Sequence, residues 1–405
     1  MKISLKYSIN KNDILLFVLV ASVIYVLISD ILFYYKINSP YFPYAVNYLA
    51  FGISFISSVF ILFKGSNKPI FKLKIFYTIL LLNLMTIFTT LTNYNSIIYG
   101  NRLILVVMLF MWCAVFIISF ESIYHNNNFY KATKYIIFIC PIFIYLFITH
   151  TFSYDYIINR QPNTVYYSLF FLPFILTSKK KYLKQLGVIA IFICILISVK
   201  RTAFIAFALS IFVYYIVLFK NNNILSKKNL YTLLTFLSIT IICVFSYNSV
   251  IDYYNVDIIA RFDQIMDDRA DIWLEVWRQQ TSSDFSHWIL GKGWNGVVNN
   301  ANISNRIENL SAHNDFLEVL YDYGIFGFIL YITLLLQLIV YAKKMISDKF
   351  ELGPAFTASI ALFLVVSLTS HLIIYPNYFY LLMLFWGASI AHYEKLIKSN
   401  QKQVL

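Results

Sequence analysis

Charge and backbone breakers are scarce in this 405-residue chain, which has 13% charged residues, 11 Gly and 8 Pro. So little charge is incompatible with a water-soluble protein of this length, and so few Gly and Pro exclude collagen-like repeats and low-complexity linkers. The four Cys, at 113, 140, 194 and 243, all lie inside apolar runs, where a thiol is a small hydrophobe. They imply neither a disulfide framework nor a Cys-based zinc site. No H-E-x-x-H, G-x-S-x-G, complete phosphate loop or dinucleotide fingerprint is present, and no repeat recurs at solenoid periods.

What is there is apolar matter in long blocks. The chain is 60% hydrophobic with 38 Phe and 33 Tyr, and its mean hydropathy is +0.69. The blocks run to roughly 17–24 residues, the length a helix needs to cross a ~30 Å hydrocarbon core, and are too continuous for the alternating strands of a membrane barrel. The fold class is therefore all-α polytopic membrane protein with about twelve transmembrane helices. They fall near 14–35, 42–63, 70–92, 102–121, 135–151, 164–178, 184–199, 202–219, 229–247, 324–341, 354–374 and 377–393. The first follows Lys2, Lys6 and Lys11, is too long for a signal-peptide core, and reads as an uncleaved span. The sixth is the weakest, being short and holding Pro173.

Cations orient these spans. With both termini inside, 22 of the 32 Lys and Arg fall on inner connections, which satisfies the positive-inside pattern at every connection, including both sides of the sixth span. The net charge of +13 is then mostly cytoplasmic Lys flanking helix ends and does not call for nucleic acid. All seven Arg nevertheless fall on the outer side while the inner cations are all Lys. Orientation alone does not require that, whereas a guanidinium fork suits phosphate oxygens.

The chain divides into N-terminal membrane helices (1–183), helices bearing a Lys200-Arg201 turn (184–247), a large outer loop (248–323) and C-terminal membrane helices (324–405). The loop carries 12 of the 19 acidic residues and is where chemistry is expected.

Four constellations stand out. Lys200-Arg201 interrupts an apolar stretch of 36 residues, 184–219, which as one helix would be about 54 Å long and must fold back at the cations. That places two positive charges at the outer face, either as interface anchors or as a phosphate clamp. Next, Arg261 to Arg278 sets Ile272, Trp273, Val276 and Trp277 at helical spacing, as expected of an amphipathic helix on the outer membrane interface. Arg269 and Trp273 share a face of it. Asp267-Asp268 could hold Mg²⁺, but carboxylates interleaved with Arg more often form salt bridges, and no metal is assigned. The third is Leu290-Gly291-Lys292-Gly293-Trp294, a tight Gly-spaced turn. In the fourth, Ser311 is the expected N-cap of a helix running toward the tenth span, with His313 in its first turn followed by Asn314. Free N–H groups there disfavour imidazolium and attract anions, which suits a neutral general base. His150, His287, His371 and His392 lack this combination and read as structural.

In this order, Ser198 to Arg201, Arg269 to Trp273, Leu290 to Gly293 and His313 through Gly327 resemble the bacterial O-antigen ligase/polymerase superfamily. The resemblance covers about 190–340. It implies an inner-membrane, GT-C-like glycosyltransferase with both termini cytoplasmic and a periplasmic active site. Such enzymes move a glycan from undecaprenyl diphosphate to a sugar hydroxyl without metal or other cofactor. By position, Arg201 and Arg269 would hold the diphosphate, Lys200 with them, and His313 would be the base. Arg261, Trp273, Trp294 and Asn314 are candidate substrate contacts. Lys200 departs from the small polar residue usual there. The implied partners are the lipid-linked glycan donor, a glycan or lipid A-core acceptor, the bilayer and other polysaccharide-assembly membrane proteins. The expected role is repeat-unit polymerase for O-antigen or a related surface polysaccharide, favoured by the compact outer loop and high Tyr and Phe content. The alternatives are the ligase that caps lipid A-core and, from another class, a transporter or lipid-linked glycan flippase. A transporter would show related halves and polar residues at the midplane, whereas Asp30, Asn47 and Asn83 are isolated.

Overall fold

A computed structural model describes residues 20, 21, 23, 28, 44–63, 68–95, 101–126, 129–153, 164–198, 200–222, 258–300, 311–373 and 376–404. Among them there are helices and no strands. In chain order they are α1 (Tyr44–Phe63), α2 (Lys74–Thr92) after a 3₁₀ turn at Pro69–Lys72, α3 (Arg102–Asn126), α4 (Phe129–Ser153), α5 (Val165–Phe170), α6 (Leu172–Leu176) and α7 (Lys181–Ser198). Then come α8 (Arg201–Asn222), α9 (Ile258–Thr281), α10 (Phe285–Leu290), α11 (Gly296–Asn300), α12 (Asp315–Ser347), α13 (Gly353–Thr369) and α14 (Pro376–Val404).

Among the described residues, six helices are long and apolar enough to cross a membrane: Lys74–Thr92, Arg102–His125, Phe129–Thr149, Lys181–Ser198, Thr202–Lys220 and Asp315–Ser347. With the apolar composition this gives a multi-pass helical membrane protein. The expected span 229–247 and nearly all of 14–35 lie outside the described residues. The expected sixth span differs from what is observed. In its place α5 and α6 break at Phe171, and the apolar stretch Val165–Leu176 is about 18 Å long, short of a bilayer core. Pro173, which lacks an N–H, sits at the start of α6, as fits a helix beginning afresh.

The chain forms two compact units. The first holds residues 1–77, 103–200 and 376–405. Its core is aromatic: Trp112 meets Phe379 at 5.6 Å, Phe379 meets Trp386 at 5.7 Å and Phe174 meets Phe385 at 5.1 Å between ring centroids, mostly edge to face. At Gly387 a side chain would meet the Phe116 carbonyl, so glycine lets α14 lie close against α3.

The second unit holds residues 78–102 and 201–375. Its main pairing is α8 along α13. Ala203, Ala206, Phe207, Ser210, Ile211, Tyr214 and Val217 form a buried stripe at three- and four-residue spacing on α8, and Ala355, Ala358, Ser359 and Leu362 are buried on α13. Small side chains on both helices allow close backbone approach. The expected loop 248–323 is largely helical where described, being built from α9, α10, α11 and the first turns of α12.

At 33 residues, α12 would be about 50 Å long if straight. It is not straight, because Gly324 sits at φ 63°, ψ −168° and splits it into a first segment before the expected span start and 23 residues, about 35 Å, after it.

A histidine turn built between two helix ends

The first segment of α12 positions the site. Its N-cap is Asn314, whose carboxamide oxygen accepts from Phe316 N at 3.0 Å and Leu317 N at 3.3 Å. This corrects the expectation that Ser311 caps the helix and that His313 lies in its first turn. His313 instead precedes the cap, with φ +52°. A non-glycine residue in the left-handed region costs on the order of 1–3 kcal/mol and persists only where its surroundings impose it.

The surroundings here are specific. Ala312 is held on both sides: its N–H donates to the buried Glu318 carboxylate, and its carbonyl accepts from the Trp273 indole at 2.6 Å. Trp273 comes from α9, whose Ile272 and Val276 are buried in a cluster with Val297, Ala312 and Tyr321. Burying those two aliphatic side chains contributes about 2 kcal/mol each. The apolar stripe of α9 therefore packs on protein, while Leu274 and Trp277 on its other side are exposed. The indole of Trp273, one of the candidate substrate contacts, braces the histidine turn.

A second strap comes from the end of α13. Asp315, fully buried, accepts from Leu372 N at 2.8 Å and Ile373 N at 3.2 Å, and Tyr331 donates to its other oxygen at 3.4 Å. That fixes residues 370–373, where the helix has ended. His371, 2% exposed, then lies with its ring 4.9 Å from the His313 ring, tilted 35°, and its Nδ1 3.1 Å from the Ser311 hydroxyl. Arg269 reaches the same place, since its Nη1 donates to the Thr369 carbonyl at 3.4 Å. Arg269 and His313 are thus tied together through two short segments, 311–315 and 369–373. Arg278 is engaged differently. It makes a two-pronged contact with Glu275 at 2.9 and 2.7 Å, and those hydrogen bonds, with one from Gln279, hold the Glu275 carboxyl at about 2.

The Gly-spaced turn is a docking device. The break at Gly324 leaves the last carbonyls of the first segment without helical donors, and Lys292 N takes Tyr321 O at 3.0 Å while Gly293 N takes Asp322 O at 2.8 Å. Gly291 and Gly324 both have positive φ, and a side chain at either would collide with a facing carbonyl, of Asp322 or Ile289. Asp322 also accepts from Val297 N at 3.2 Å. Lys292 donates to the Tyr321 hydroxyl at 3.0 Å, and burial holds its amine below the usual value. Trp294 is half-buried, with its N–H on Thr90 Oγ1 at 2.9 Å.

The remaining candidates fall as follows. α7 ends at Ser198 and Arg201 opens α8, which packs along α13. Lys200 belongs to the first unit, with its ammonium 5.1 Å from the centre of the Tyr166 ring. Arg261 and the Asp267-Asp268 pair lie in α9, and their side chains are outside the described residues, as is that of Arg201. Among the described residues no group of three or more His, Cys, Asp or Glu is arranged to hold a metal ion. Sequence reasoning missed His371, Glu318 and Asp315. The last two were legible as acids within the first turns of a helix, but their partners are set by the tertiary fold.

A multi-pass helical membrane protein with a histidine held in a strained turn beside an arginine is the class these features define. Residues 186–332 match the family model described as O-Antigen ligase, which supports membership of the O-antigen ligase/polymerase superfamily and a glycosyltransferase-type activity. No curated protein matches the sequence.

Proposed function

We propose that the protein transfers a glycan from undecaprenyl diphosphate to a sugar hydroxyl at the periplasmic face of the inner membrane, as a repeat-unit polymerase for surface polysaccharide. The observation that carries this reading is the convergence of His313 and Arg269 on the segments 311–315 and 369–373, largely within the matched domain. His313 takes the proton of the acceptor hydroxyl as its oxygen attacks the anomeric carbon. The new C–O bond forms as the bond to the phosphate oxygen breaks, and attack from the face opposite the diphosphate inverts the centre. Diphosphate is a good leaving group, so the donor side needs charge compensation more than an acid. Arg269 and Arg201 supply it. General-base assistance of this kind contributes about 10²–10⁴-fold. Trp273 and Asn314 act by holding the His313 turn, and no metal is required.

A second reading is the ligase that delivers the glycan to lipid A-core, favoured by the description of the matched family. The two share donor and chemistry and differ in acceptor.

The test is reconstitution of purified protein in liposomes with lipid-linked glycan extracted from the producing cells, in EDTA. Elongation of the lipid-linked chain is expected. Transfer only to added lipid A-core assigns the ligase instead. Absence of transfer to either acceptor, or activity that requires added Mg²⁺, overturns the metal-free transferase.

A further inference from the structure

His371 stands outside every motif that marks the site, 58 residues from His313 in sequence, yet the fold presses the two rings together at 4.9 Å. Several contacts set this up. Asp315 anchors the two residues after His371 through their N–H groups, Ser311 meets its Nδ1, and Arg269 holds the carbonyl two residues before it. Ser311 and Asp315 belong to the same short stretch as His313, and Arg269 lies on α9, which also supplies Trp273 to that turn. A buried imidazole needing only to be accommodated would not require this many contacts.

We propose that His371 is the positioning residue for His313: its ring face sets the orientation of the catalytic imidazole toward the acceptor hydroxyl, and the Ser311 contact sets the orientation of His371 itself. The inference rests on His313 being the base. No bond is made or broken at His371, and it acts only through the other ring. Since a misplacement of about 1 Å in a reacting group can cost 10²-fold in rate, the effect belongs in kcat and not in donor affinity.

The experiment is steady-state transfer in liposomes with extracted lipid-linked glycan, comparing wild type with His371→Ala, His371→Phe, Ser311→Ala and His313→Ala. His371→Ala is expected to lower kcat about 10- to 100-fold with donor KM changed less than about threefold, as loss of orientation predicts. His371→Phe, which keeps a flat ring against His313, should recover a large part of that loss. Ser311→Ala should lower kcat several-fold. An alanine variant at 371 with wild-type kcat, a loss confined to KM, or a phenylalanine variant no better than alanine overturns the inference. If His371→Ala fails to accumulate in the membrane, Ser311→Ala decides, and an unchanged kcat there overturns it. Activity in His313→Ala would instead remove the underlying base assignment, an outcome distinct from a silent His371 in an enzyme that still needs His313.

Discussion

The two units bury acidic groups in contrasting ways. In the first, Glu121 is buried on α3 and meets basic side chains, with Lys68 at 4.0 Å and His125 at 3.2 Å, besides one backbone N–H, that of Ile70. In the second, Asp315, Glu318 and Asp322 are all fully buried on the first segment of α12, have no such basic partner among the described contacts, and accept from backbone N–H groups of Leu372 and Ile373, Ala312, and Val297. A partner such as His125, one turn along the same helix, joins groups that already have regular structure. A carboxylate that gathers backbone N–H groups imposes shape on chain that has none, and here that chain carries His313 and His371. The aromatic core of the first unit provides rigidity through packing, whereas the second spends buried polar groups on holding loops, where function concentrates.

The largest effect that could break this comparison is at Asp315. Asp315→Ala leaves two buried N–H groups unmet, each worth about 1–3 kcal/mol, and frees the segment bearing His371. Both transfer activity and thermal stability in detergent should fall sharply. Glu121→Gln, in contrast, should leave activity near wild type. Equal loss of activity in the two variants would erase the distinction.

Glycine sharpens the contrast next. Gly324→Ala meets the Ile289 carbonyl at positive φ, whereas Gly187→Ala in the first unit meets only the Ile175 side chain, which must shift, and no backbone. The first should destabilise by several kcal/mol and undock the Gly291 turn, and the second by about 1 kcal/mol. A thermal melt of each checks this. Arg269→Lys comes third. It keeps charge but loses the fork, and is expected to be nearly as inactive as Arg269→Ala, so substantial activity would indicate simple charge compensation. The smallest effect belongs to Glu275→Gln, which removes an exposed contact to Arg278. Its melting temperature and activity should match wild type, because surface ion pairs contribute little.

Much of this was legible in the sequence, and the limits are physical. Apolar runs located most helices, and the 36-residue stretch 184–219 is divided, with α7 ending at Ser198 and α8 beginning at Arg201. Gly324 was marked as the start of a span, and it is there that α12 bends. The Leu290 to Gly293 turn was visible as a motif, but its purpose was not, because it answers carbonyls released 29 residues later. The cap was misplaced by three residues, since Ser311 and Asn314 are both good N-caps and only tertiary contacts choose between them. Ser311 is drawn instead to His371. The sixth span is not confirmed, because the apolar stretch Val165–Leu176 is short and apolar composition does not distinguish a crossing helix from a buried one. His371 was invisible for the reason that makes it informative, as nothing local to residue 371 encodes a neighbour in another turn of the chain.

The most direct measurement is single-turnover glycan transfer by His313→Ala, with membrane accumulation and melting temperature matched to wild type. Loss of transfer by at least 10²-fold, with lipid-linked donor still bound, is what a general base held in that turn predicts. Transfer at the wild-type rate would contradict it and leave the buried polar scaffold around residues 311–315 and 369–373 without its catalytic purpose.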